Sequence, residues 1–143
     1  MNPQENIELR LRTMRVVWIA MILNIAGLFL LTLFVKRRED LLPNPTLSIA
    51  LLGVAVSAVL ISFAIKSKLL NRAFEQQQLL MVQQAYVVAF AINEVGALSG
   101  LLDFFTTSDR FYYVLLMVGA LGQLLHFPRR EHVLNASGKP AIY

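Results

Sequence analysis

Residues 79–102 read LLMVQQAYVVAFAINEVGALSGLL, a run of 24 positions in which Glu94 is the only charged side chain. At 1.5 Å of rise per residue, about 20 helical residues cross the ~30 Å hydrocarbon core of a bilayer. The run is therefore long enough to span. A carboxyl group placed near its middle costs roughly 3 kcal/mol or more to insert, so such a group is normally held against protein and often functional. Glu94 is the first candidate site residue on that ground.

Outward from this run, three more apolar stretches appear. One covers about 16–35, preceded by Arg10, Arg12 and Arg15 and stopped by Lys36-Arg37-Arg38-Glu39-Asp40. A second covers about 46–65, entered through Leu41-Leu42-Pro43-Asn44-Pro45 and ended by Lys66 and Lys68. Two prolines that close cannot continue a helix, so the connection is a break. A shorter fourth stretch covers about 111–127, ended by Pro128-Arg129-Arg130, and a polar tail follows to Tyr143. Residues 69–78 (LLNRAFEQQQ) hold no proline or glycine and read as an interfacial helix leading into the third stretch without a clean break. The expectation is an all-α, four-helix transmembrane bundle, residues 1–143 forming a single integral membrane domain.

Composition agrees. Of 143 residues, 57% are hydrophobic and 15% charged, against roughly a quarter charged in soluble domains. Mean hydropathy is +0.59. No cysteine is present, which removes disulfides, thiolate metal sites and cysteine nucleophiles. The polar residues 1–15, followed by an apolar run longer than a signal core and no small-residue cleavage site, read as a retained first span rather than a signal peptide. The net charge of +4 gathers at span ends, where it meets headgroups; nucleic-acid binding is not expected. Arg10, Arg12, Arg15, Lys66, Lys68, Arg72, Arg129, Arg130 and Lys139 fall on one side of such a bundle, against Lys36, Arg37, Arg38 and Arg110 on the other. The basic excess predicts that both termini are cytoplasmic, in a multi-pass protein of the inner (plasma) membrane.

Lipid gives helices little reason to associate through hydrophobicity, so small residues that let backbones approach are informative. Gly96 and Gly100 form a GxxxG pair in the third span, Gly53 sits in a small-residue strip of the second with Ala50, Ser57 and Ala64, and Gly119 and Gly122 serve the fourth. These glycines are the expected helix-packing positions. The mid-depth polar residues are Asn24, Ser57, Asn93 and Glu94, with Gln83 three turns earlier on nearly the face of Glu94 and Gln123 nearer one end of the fourth span. No lysine or arginine lies inside a span. Glu94 is therefore expected to be held neutral in a buried polar node, bonded to Asn24, Ser57 or a group on another subunit. Proton or ion exchange at the same carboxyl, and a contact from it to a partner protein, lipid headgroup or cofactor, are the rival expectations.

Ala89-Phe90-Ala91-Ile92-Asn93-Glu94-Val95-Gly96-Ala97-Leu98-Ser99-Gly100-Leu101 resembles the ion-binding helix of the proteolipid (c) subunit of rotary ATP synthases, where a membrane carboxylate is followed by small residues and a glycine-leucine pair. The resemblance covers these 13 residues and implies a proton-carrying role for Glu94. Small multidrug transporters also have four spans and one membrane glutamate, but theirs lies in the first span, where this chain has Asn24. As a whole, with its aromatic-Pro-Arg run Phe127-Pro128-Arg129-Arg130, the chain looks like the small four-span proteins of bacterial inner membranes.

Other polar and aromatic residues are read as interfacial. Trp18, Phe111, Tyr112 and Tyr113 anchor span ends, and His126 sits at the end of the fourth. No phosphate loop, catalytic triad, zinc motif or acid–base carboxylate pair can be assembled, so no catalytic residue, cofactor or metal is expected. The expected function is a non-catalytic accessory or scaffold subunit of a larger bacterial membrane complex. The expected partners are the bilayer and other membrane subunits or a second copy. The alternative is a proton- or ion-coupled small transporter or channel subunit using Glu94.

Overall fold

A computed structural model describes the backbone of residues 3–36 and 41–138, and side chains from Asn6 onward. Arg37, Arg38 and Lys139, counted in the charge comparison above, lie outside the described residues. The described chain is all-helical: α1 (Pro3–Phe34), α2 (Pro45–Glu75), α3 (Leu79–Thr106), α4 (Tyr112–Leu125) and α5 (Arg130–Ala136).

Three helices are long and apolar enough to cross a membrane: α1 over Asn6–Phe34, α2 and α3. The expected fourth span is narrower than the sequence suggested. Helix α4 has 14 residues, about 21 Å of rise, and its ends are taken by turns at Phe111 and His126.

Helix α2 starts where its chemistry dictates. The Asn44 side chain accepts the Leu47 N–H at 3.1 Å as N-cap, and Pro45 occupies the first turn, where a missing donor costs nothing. Its end corrects the expectation of a continuous helix into α3. Gln77 turns left-handed at φ 50, while Gln76 N–H bonds Arg72 O at 3.0 Å and Gln78 N–H reaches back to Ala73 O at 3.0 Å. This is a Schellman closure. Its hydrogen bonds impose a backbone usually reserved for glycine, so the break leaves no glycine or proline in the sequence.

Helices α2 and α3 thus form an antiparallel hairpin, and α4 returns against both. The most apolar window of α3 is 50% buried and that of α1 only 11%, so α3 is central and α1 lies outermost. Close packing is made by the absence of side chains. A Cβ on Gly119 would stand 2.7 Å from Ala97 N, and one on Gly100 would stand 3.0 Å from Tyr112 O.

The long helices outlast the apolar layer and meet at one end. There Ile7, Leu11 and Met14 of α1 pack with Leu70 and Ala73 of α2, Val82, Ala85 and Tyr86 of α3, and Val133 and Ala136 of α5. The polar tail expected after Pro128 is corrected in part: Arg130–Ala136 is a helix whose two buried residues close this end. The N-terminal turns, the α2–α3 hairpin and α5 consequently share one end of the bundle.

Candidate functional site

Asn93 and Glu94 occupy adjacent positions of α3 and face different surroundings, as the 100° step of a helix requires. Asn93 is fully buried against α4, donating from Nδ2 to Gly119 O at 2.9 Å and to Gln123 Oε1 at 3.1 Å. Asn93 Oδ1 and Gln123 Nε2 are buried without a partner. Gly122 is pressed against the Asn93 amide; any larger residue there would collide with it. This is an inward polar node between α3 and α4.

Glu94 is only half-buried and lies toward α1. Asn24 Nδ2 donates to Glu94 Oε1, joining the two helices at mid-length, and Asn24 itself is exposed. Along the same two faces run Ala20 and Gly27 of α1 and Val87, Ala91 and Leu98 of α3, all exposed. A Cβ added at Gly27 would meet nothing within 4 Å. The carboxyl and its amide therefore stand on an outer surface of small residues rather than in the packed core.

The remaining expected site residues divide between these regions. Gln83 accepts from Arg10 Nη1 at 3.4 Å, near the end closed by α5. Ser57 is exposed on the far side of the hairpin, where Ala50, Gly53, Ser57, Ile92 and Val95 line a groove of about 490 Å³. Gly53 meets nothing within 4 Å there, whereas Gly96 lies against Ala55 and Gly119. The five polar residues thus form an inner node (Asn93), an outer pair (Glu94 and Asn24) and two separate positions.

Three polar groupings escaped sequence reasoning. His126, expected at the interface, is fully buried. Its Nδ1 meets Gly122 O at 2.6 Å, its Nε2 meets Ser62 Oγ at 3.1 Å, and its ring packs 4.1 Å from that of Phe63. A carbonyl can only accept, so Nδ1 carries a proton. At the opposite end, Ser48 Oγ donates to Asp103 Oδ1 at 2.7 Å, Thr107 Oγ1 reaches the same oxygen at 3.2 Å, and Asn44 N–H donates to Asp109 Oδ2 at 2.9 Å. These carboxylates sit at the N-terminus of α2, where the helix dipole favours negative charge. At the closed end, Tyr86 OH meets His132 Nδ1 at 2.7 Å and accepts the Arg129 N–H at 3.1 Å. Sequence separations of 43 to 64 residues explain why no local spacing announced the His126 and Tyr86 contacts. Trp18, expected as an anchor, donates from Nε1 to Gln123 O at 2.8 Å and stands edge-on to Phe127.

Among the described residues, no group of three or more His, Asp or Glu side chains could hold a metal ion. No protein-family model, curated protein or solved structure matches the chain.

Proposed function

We propose that this chain is a non-catalytic accessory or scaffold subunit of a larger assembly in a bacterial inner membrane, crossing the bilayer four times with both ends in the cytoplasm. Helix α4 is the short fourth crossing, its depth completed by flanking Phe111 and Phe127. The observation that carries the proposal is the outer Asn24–Glu94 pair. A half-exposed carboxyl at mid-depth is costly against lipid tails, and the small residues around it let another helix come close. A neighbouring transmembrane helix would remove the pair from lipid and pack against Ala20, Gly27 and Ala91.

The test is purification from native membranes with a photo-crosslinking residue at Ala91, and a control at Leu60 on the exposed side of α2. Stoichiometric companion chains, with adducts from position 91 and few from position 60, are expected. A lone monomer in mild detergent, with no adduct from position 91, would contradict the proposal.

One feature favours a second reading. Glu94 is bonded to a neutral amide on α1, the least buried helix, and a carboxyl so placed could exchange a proton or ion. Glu94→Gln would then abolish flux in liposomes while assembly survives; loss of assembly instead favours the scaffold.

A further inference from the structure

The end of the bundle closed by α5 gathers positive charge around one phenol. Lys66 Nζ stands 5.0 Å over the Phe63 ring and 5.4 Å over the Tyr86 ring. The Tyr86 oxygen accepts the Arg129 N–H at 3.1 Å and stands 2.7 Å from His132 Nδ1. Donation from Tyr86 to Nδ1 would leave the imidazole proton on Nε2, available as a donor. Burial lowers the pKa of His132 below 6.5, and the charges of Lys66 and Arg129 lower it further, against a weaker opposing pull from Glu131.

Two cations close enough to act on one imidazole normally share a carboxylate. Here, among the described residues, neither has one. The ion pair at this end is Arg130 with Glu8 at 3.0 Å, and both of those side chains are largely exposed. Like charges thus stand together beside Tyr86, Lys66 over two aromatic rings, with Glu131 the weakest of the charges acting on His132. Their depth is also defined. Lys66 directly follows the apolar run ending at Ile65, and Arg129 follows Pro128 just beyond α4, so both lie where hydrocarbon gives way to headgroups.

We propose that Lys66, Arg129 and His132, arranged around Tyr86, form a binding site for a phosphate group. The ammonium and guanidinium supply charge, and His132 Nε2–H supplies a directional bond to a phosphate oxygen. Basic pockets between helices at the cytoplasmic surface bind anionic lipid headgroups by this chemistry. A phosphodiester of an anionic lipid and a soluble phosphate are the two sources of the same group.

Intact protein in mild detergent is titrated with phosphatidylglycerol, with phosphatidylcholine and, separately, with inorganic phosphate, and bound ligand is counted by native mass spectrometry alongside the melting temperature. Removing one interfacial cation is expected to weaken binding about fivefold. Lys66→Gln therefore loses about fivefold in affinity, Lys66→Arg retains it, and Lys68→Gln, an exposed cation on the same helix, changes little. Phosphatidylglycerol binding with that variant pattern supports the site with lipid as the source. Stabilisation by inorganic phosphate with the same pattern supports it with a soluble phosphate as the source. Equal losses in Lys66→Gln and Lys68→Gln, or no preference for either anionic probe, would overturn it.

Discussion

At the scale of single residues, His132 has the most directly measurable chemistry. It is hydrogen-bonded to Tyr86 OH through Nδ1, and burial, then the charges of Lys66 on α2 and Arg129 before α5, oppose a second charge on it, with Glu131 favouring one. A histidine whose folded pKa lies below 6.5 contributes stability that is complete above pH 6.5. That contribution is lost as pH falls from 6.5 toward the folded value, because the undocked ring takes up a proton more readily. Protection factors of the amides over 130–136, taken relative to the intrinsic exchange rate at each pH, are expected to fall between pH 7.5 and 5.5, and this pH response should flatten in His132→Gln. Unchanged protection factors would show that the docking of α5 does not depend on this bond. Asn93 and Glu94 teach a related lesson. Sequence identified both as mid-depth polar groups, but one helical step separates an inner node from an outer pair. Which face is inner was set by Gly119 and Gly122 of a helix some 26 residues away, and no property of residues 93 and 94 encodes that.

At the scale of elements, the α3–α4 contact and the α2–α3 turn make opposite demands on the backbone. Gly119 is pressed to the Ala97 backbone, so Gly119→Ala must separate two helices. Overpacking of this kind costs about 1–3 kcal/mol, to be read as a lowered midpoint of unfolding in detergent. At the turn, Gln77 holds a left-handed conformation that costs a non-glycine residue roughly 1–2 kcal/mol. Gln77→Gly is therefore expected to raise stability by about 1 kcal/mol; a loss would mean that the Gln77 side chain holds the turn. The long apolar helices and the Pro43–Pro45 break were legible because hydropathy and proline act locally. The end of α2 was not, since hydrogen bonds rather than residue type close it. Helix α5 was not either, because seven residues with two buried positions carry too little periodicity to stand out from a polar tail.

At the scale of the whole molecule, two regions with different solvents are joined by continuous helices. One is an apolar section whose outer faces remain rich in exposed leucine, isoleucine, valine and phenylalanine. The other is a small cap in which α1, α2, α3 and α5 bury ordinary core residues. The cap ties the first turns, the hairpin and α5 to a single end. Its geometry also explains why the phosphate site and the outer Asn24–Glu94 pair are separate: one belongs to the cap boundary, the other to mid-depth.

Because the chain contains no cysteine, single cysteines report position without interference. The decisive measurement places one at Ser67, Asn135 or Thr106, all exposed, and labels intact and opened membrane vesicles with an impermeant thiol reagent. Positions 67 and 135 should react from the cytoplasmic side alone, and position 106 from the opposite side alone. Labelling of 67 and 135 from opposite sides, or of all three in a fraction that never sediments with membranes, would contradict a lipid-embedded bundle capped at one end.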